Sequence, residues 1–288
     1  MGTLMAIAAT GSFASPARRG LSSRARFPRR MGLQSRQGQR VASRPLRCYG
    51  LMPMCTVIIL HRPGQAWPIL LAANRDERLD RAWEAPAEFW PGFMGGRDAT
   101  AGGTWMAMNR QGVVAAVLNR PGSLGPDPEK RSRGELPLKA LEQASAAAAA
   151  AEMAMLDAGL WRPFNLVIAD ARGAWFLAGM GAGRPEVSTL PAGVSMVTAH
   201  PPNDLTSART ARHLSLFAAA RAPEPPDWGA WPALLADSEG GSAAALNVPP
   251  LGGFGTVCSS LVALGASGER EWLFAAGPPD RTEFKRLI

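Results

Sequence analysis

The sequence predicts an α+β domain built from layered, mostly antiparallel sheets, and three observations carry that expectation. Short β-branched and apolar runs recur between turn residues, beginning with Thr56–His61, Arg62-Pro63-Gly64-Gln65 and Ile69–Ala73. Only two long helical stretches interrupt the strands, an alanine-rich run ending at Ala158 and a second over Leu205–Ala220. The chain of 288 residues, 47% hydrophobic and 19% charged, is large enough for one substantial core.

Taken in order, Thr56–His61 and Ile69–Ala73 form a first hairpin. Folding it about the turn centre sets Cys55 opposite Ala72 or Ala73, so Asn74-Arg75-Asp76-Glu77 emerges at the same sheet end as Cys55, one strand spacing of about 4.8 Å away. Residues 83–101 carry turn formers and no clear period, and read as a loop over the sheet. A second hairpin joins Gly103–Met108 to Val113–Leu118 through Asn109-Arg110-Gln111-Gly112, which sets Gly102 opposite Asn119. Arg131-Ser132-Arg133-Gly134-Glu135-Leu136 opens one long alanine-rich helix that Gly159 stops. Strands follow at Asn165–Asp170, Ala174–Gly179, Glu186–Leu190 and Val194–Thr198, then a helix over Leu205–Ala220 with Asp204 as its cap. A short helical piece near Trp231–Ala236 and a last strand pair, Gly255–Leu264 and Glu271–Ala276, complete the chain.

The formal charge of +8 points to nucleic acid only if it belongs to the folded part, and it does not. Residues 1–53 hold ten arginines with no lysine and no acid, which leaves 21 basic and 23 acidic groups in residues 55–288. The body is nearly neutral, so no nucleic-acid partner is expected. The Arg- and Ser-rich leader is expected to stay outside the packed domain, which spans 54–288. Three readings of it stand: sequence upstream of the true start, an organellar transit peptide, or a basic arm. Met54 directly before Cys55 favours the first, with a cytoplasmic protein; a transit peptide makes it organellar. Three cysteines without a C-x-x-C pair and three histidines argue against structural zinc and against a disulfide scaffold, and no cofactor is expected. No apolar run approaches the roughly 20 residues that span a bilayer, so no integral membrane segment is expected.

The chemistry concentrates at the start of the body. A cysteine exposed as residue one by removal of Met54 carries a free α-amine, whose reference pKa of about 7.7–8.0 lets it take the thiol proton near neutral pH. Acyl transfer then needs an anion for the ammonium, a cation for the thiolate and donors for the oxyanion. Asp76 is the candidate for the first, Arg75 for the second, and the amides of Asn74 and Asn119 for the third. Adjacent strand residues point to opposite faces, so Arg75 or Asp76 needs a further partner. Cys258 reads as a small buried residue in an apolar strand, Trp105 with its glycines as core and turn or as a ligand contact, and Arg133 with Glu135 as a helix cap or a pocket wall.

The blocks Met54-Cys55-Thr56, Ala72-Ala73-Asn74-Arg75-Asp76-Glu77, Gly102-Gly103-Thr104-Trp105, Arg133-Gly134-Glu135-Leu136 and Phe164-Asn165-Leu166 resemble, in order and spacing, the NRDE family, which includes transport and Golgi organisation protein 2. The resemblance implies an N-terminal-nucleophile (Ntn) hydrolase αββα four-layer sandwich related to the choloylglycine hydrolase and penicillin V acylase group. It implies catalytic roles for Cys55, Arg75, Asp76 and Asn119, and substrate contacts from Asn74, Trp105, Arg133 and Asn165. Where that group has a later Asn beside the amine, this chain has Thr198-Ala199-His200-Pro201, with Asn203 three residues on. The expected function is hydrolysis of a non-peptide amide or ester by a cysteine Ntn amidohydrolase. The alternative is a non-catalytic carrier for lipid-like, acyl-CoA-like or haem-like ligands. Nine tryptophans suit an amphipathic or acylated small molecule as the partner.

Overall fold

The computed structural model describes residues 55–125 and 127–288; the expectations for the leader and for Met54 lie outside them. Among the described residues thirteen strands form two antiparallel sheets. The first holds β1 (Thr56–His61), β2 (Ile69–Arg78), β10 (Gly193–Val197), β11 (Phe254–Leu264), β12 (Arg270–Ala275) and β13 (Lys285–Arg286), in the order β10-β1-β2-β11-β12-β13. The second runs in simple sequence order through β3 (Trp83–Trp90), β4 (Phe93–Asp98), β5 (Thr104–Asn109), β6 (Val114–Asn119), β7 (Phe164–Asp170), β8 (Gly173–Gly179) and β9 (Glu186–Thr189).

Three apolar layers show how these sheets stack. Alternate residues of both sheets, among them Val57, Ile59, Leu71, Met106, Leu118, Val167 and Val262, meet in a central core between the sheets. The other face of the second sheet packs Ala115, Leu166 and Ile168 against α1 (Glu135–Ala140) and α2 (Ala146–Met153). The other face of the first sheet packs Ile58, Leu70, Ala72 and Leu261 against α3 (Ala208–Ala219) and α4 (Trp231–Leu235) through Phe217, Trp231 and Leu235; α5 (Gly241–Ala244) follows α4. The architecture is an αββα four-layer sandwich. Among the described residues no helix is long and apolar enough to cross a membrane.

Several local expectations need correction. Residues 83–98 are not a loop but the edge hairpin β3–β4, whose ladder slips on either side of Ala87 and again near Gly95. These bulges, next to Pro86, erase the period of two by which a strand is recognised. The alanine-rich run does not make one helix. Nδ2 of Asn109 donates to the carbonyls of Leu141 and Gln143, and Ser145 Oγ accepts from the Ala148 amide, so α1 ends and α2 starts afresh. The cap of α3 is Ser207 rather than Asp204, whose carboxylate instead closes a turn onto Thr206. The first hairpin pairs His61 with Ile69 and Thr56 with Asn74, so a connection of residues 62–68 carries Cys55 level with Arg75 rather than with Ala72 or Ala73. In the second, Met106 pairs with Ala116 and Met108 with Val114, one residue from the expected register.

The end of the sandwich that holds Cys55 is closed by a backbone contact. Gly134 accepts a hydrogen bond from the Thr104 amide at 3.0 Å, and a Cβ on Gly103 would stand 2.5 Å from the Gly134 carbonyl carbon. Gly103→Ala is expected to lower the unfolding free energy by about 1–3 kcal/mol through this overpacking. Urea denaturation checks it, and an unchanged midpoint counts against the contact.

Candidate active site

The run Asn74-Arg75-Asp76-Glu77 lies inside β2, and the pleat divides it. Arg75 continues the row Ile69, Leu71, Ala73 that faces the other sheet, whereas Asn74 and Asp76 continue Leu70 and Ala72 toward the helices. Cys55 reaches the same inter-sheet space ahead of Val57. There it lines a narrow cavity with Ala73, Arg75, Trp105, Met106, Leu118 and Cys258. The free space is about 20 Å³, room for about one water.

Each wall of this cavity has a local cause. Thr104 Oγ1 donates to the Met106 carbonyl and accepts from the Met106 amide, so the β5–β6 ladder begins only at Met106, and Trp105 and Met106 both line the cavity. The Trp105 ring covers the Arg75 guanidinium at 4.3 Å and meets Trp83 edge-on at 5.8 Å. Arg75 is held loosely by charge, with Nη2 at 3.3 Å from Asp98 and 3.4 Å from Glu77, and its buried Nη1 has no hydrogen-bond partner among the described residues. Burial raises the Asp98 carboxyl, but Arg81 at 2.7 Å, the Ala101 amide and Arg75 together hold it below the usual range.

On the helix side, Asp76 is fully committed. Arg209 Nη1 donates to its Oδ2 at 2.9 Å and to Thr56 Oγ1 at 2.9 Å, while Thr256 Oγ1 donates to its Oδ1 at 2.6 Å. The side chains of Arg209 and Asp76 are 4% and 0% exposed, so this is a buried ion pair. A bulge at Val257 makes the arrangement possible. It pairs Thr256 with Asp76 and Cys258 with Arg75, so Thr256 reaches the helix side and Cys258 the cavity. Unbroken alternation would have put both on one face.

Cys55 itself is a half-buried thiol that donates to the Asp76 main-chain carbonyl at 3.6 Å. Burial pushes it up to about 11, the Asp76 charge adds to this, and Arg75 pulls back only in part. Cys258, deeper in the same cavity, is pushed up to about 12 by burial. Neither thiol is ionised at neutral pH without a base supplied at the site.

The structure thus brings together Cys55, Arg75 and Trp105, and sets other expected residues to different work. Asn74 spends both amide hydrogens on the carbonyls of Leu235 and Leu246 at 3.0 Å and accepts from Ser259, so it ties β2 to the helical layer and has no donor left for an oxyanion. Asn165 donates to Thr198 and His200 carbonyls at 2.8 and 3.0 Å and accepts from Arg120, which stitches the second sheet to the end of β10. Asn119 ends β6, half-buried, one residue beyond the cavity wall at Leu118. Asn203, at φ 59°, accepts from the Met196 amide and closes the turn after β10, and His200 faces Asp204 at 3.5 Å. Arg209, Thr256 and Cys258 are site residues that sequence reasoning missed. Arg209 left one signal: with His213 and Phe217 it falls on the buried stripe of α3, where an arginine needs a counter-charge.

Removing one partner of a buried pair leaves an uncompensated charge. Arg209→Met is therefore expected to cost about 3–5 kcal/mol of stability. The double variant Arg209→Met with Asp76→Asn is expected to regain part of that loss in urea denaturation. If the single variant is as stable as the native chain, the pair does not carry this corner of the fold.

No curated protein matches the chain. Among solved structures, a Caenorhabditis elegans N-acylethanolamine-hydrolyzing acid amidase ortholog is similar at 13% identity, with a TM-score of 0.48, over 72% of this chain and 92% of that one. The family model described as Transport and Golgi organisation 2 matches residues 54–204, just over half of the chain and all of the segment from Cys55 through Arg133 and Asn165. With that match over β1 to β10, the chain belongs to the Transport and Golgi organisation 2 family.

Proposed function

We propose that the protein is an N-terminal-nucleophile hydrolase that cleaves a non-peptide amide or ester of an amphipathic, acylated compound through Cys55. In this reading the working domain begins at Cys55, residues 1–53 are a leader, and the enzyme acts in the cytoplasm, where a free thiol stays reduced. The observation that carries it is the placement of Cys55 beside Arg75 on the inner face of the first sheet, with Arg75 Nη1 buried and lacking a hydrogen-bond partner among the described residues. The family's resemblance to the choloylglycine hydrolase and penicillin V acylase group supports the same roles.

The raised thiol explains why a free amino terminus is needed. While residues precede Cys55 its sulfur stays protonated; once Cys55 is terminal, its own α-amine accepts the thiol proton within one residue. The thiolate then attacks the scissile carbonyl carbon, and the oxyanion is met by Arg75 Nη1, with Asn119 at the rim as a second donor. The ammonium passes its proton to the leaving nitrogen or oxygen as the carbon–heteroatom bond breaks and a thioester remains. Water, deprotonated by the amine, attacks the thioester, releases the acid and restores the thiol. Asp76 is a positioning residue here: its carboxylate is bound by Arg209 and Thr256, and its charge lies near enough to Cys55 to favour an ammonium over a thiolate. The protonated thiol also favours a second reading, a carrier of lipid-like, acyl-CoA-like or haem-like ligands that performs no acyl transfer.

Intact mass of protein expressed from the full reading frame tests the first premise, with Cys55 expected as the terminal residue. An acyl adduct with an activated ester is expected on Cys55 and absent in Cys55→Ala; turnover that survives this variant removes the mechanism, and a bound ligand retained by it with no adduct ever formed favours the carrier. The pH dependence follows from the direction of the shift. With residues ahead of Cys55, iodoacetamide alkylation is expected to climb with pH toward about 11, whereas the chain beginning at Cys55 reaches its plateau near neutral pH. Arg75→Met removes a group that lowers the thiol's pKa and is expected to move either profile to higher pH. Identical profiles for the two chains would dispose of the amine as base.

A further inference from the structure

Arg133 is the motif residue that the chemistry above leaves unused. It sits at the cavity end of the sandwich because the next residue, Gly134, is pinned to the Gly103–Thr104 backbone, two residues before Trp105. One of its nitrogens makes its hydrogen bonds. Nη1 donates to the Ser123 carbonyl at 2.8 Å, to Ser123 Oγ at 2.8 Å and to the Pro163 carbonyl at 3.1 Å. These acceptors are neutral, and among the described residues Nε and Nη2 make no hydrogen bond.

The surroundings are cationic. Arg120, one residue past β6, uses Nη1 on Asn165 Oδ1 at 2.5 Å, and its backbone closes the Ser123 turn that Arg133 also grips. Arg162 donates to the Gly122 and Gly125 carbonyls of that same turn. Among the described residues neither Arg133 nor Arg120 forms an ion pair, although Arg131, two residues before Arg133, does. Burial and the Arg162 charge push the Arg133 guanidinium down to about 10, and Cys55 and Glu77 are the groups whose charges act the other way. A half-buried guanidinium without a protein counter-ion is costly to keep, and a ligand anion would relieve it.

We propose that Arg133, backed by Arg120, is the subsite for an anionic group of the ligand, so the compound reaching Cys55 is an acylated amide or ester that also carries a carboxylate or a phosphate. This names the substrate class of the site proposed above and rests on that reading for the bond that is cleaved. The anion preference itself is an equilibrium property and holds for catalyst and carrier alike.

The test is calorimetric binding to the full chain carrying Cys55→Ala, which lacks the nucleophile that would cleave them, of three probes with one acyl chain: N-dodecanoylglycine, its methyl ester and N-dodecanoyl-O-phosphoethanolamine. One of the anionic probes is expected to bind about tenfold or more tightly than the neutral ester, the gain of a charge-assisted contact, and whichever does so decides between carboxylate and phosphate. Arg133→Met is expected to bring that affinity down to the ester's, and Arg133→Lys to keep part of it. Because Arg133 also braces the Ser123 turn, Arg120→Gln serves as the second variant, with a smaller loss of the same preference. Equal binding of all three probes, a preference untouched by both substitutions, or no binding at all overturns the proposal. Incubating the same probes with the native chain separates the two claims: an intact anion preference in Cys55→Ala without any acyl adduct or cleavage in the native protein would sink the hydrolase reading and leave Arg133 in place.

Discussion

The pleat of β2 is the constraint on which the rest of the site depends. Side chains alternate between sheet faces with a period of two, so four consecutive polar residues cannot serve one surface. Asn74 and Asp76 go to the helical layer and Arg75 and Glu77 to the space between the sheets. One half of the run anchors α4, the segment after α5 and α3 to the sheet; the other half faces the thiol. The corner that holds the thiol and the support beneath it are therefore the same strand, read from its two sides.

That division sets up the electrostatics. Asp76 is fully buried, and its charge is met by Arg209 on one oxygen and Thr256 on the other. The Thr256 hydroxyl also accepts from the Val248 amide, so the loop behind α5 is tied into the same network. On the inner face, by contrast, charges are underpaired. Among the described residues Arg75 has two long ion pairs and a nitrogen without a hydrogen bond, Cys55 is pushed toward its neutral form, and Arg133 is met only by neutral acceptors. A fold that completes its hydrogen bonds on one face of a strand and leaves them open on the other has separated stability from chemistry.

The elements differed in how far they could be read. β1, β7, β8 and β11 announce themselves through β-branched and apolar runs between turns, and their bounds fall within a residue of expectation. β3 and β4 do not, because bulges break their period, and the alanine-rich run hides two helices because the break is made by Asn109 from another strand. At the site, Cys55 and Arg75 were legible through a local hairpin and Asp76 through its neighbourhood, although a longer connection shifted the register. Arg209 and Thr256 were not. They lie 133 and 180 residues from Asp76, and nothing in local sequence specifies such a pairing. Asn74 and Asn165 carried the right chemistry for ligand contacts, but main-chain carbonyls from the opposing layers claimed their amides first.

By itself the sequence determined the class of layers, the confinement of the excess positive charge to residues 1–53, and a cysteine placed where a strand begins, because periodicity, charge and turn chemistry act over a few residues. Which face each polar side chain takes was decided only in the tertiary structure. A one-residue bulge at Val257 sends Thr256 to one face and Cys258 to the other, and its cost or gain depends on the strand and the helix waiting on either side.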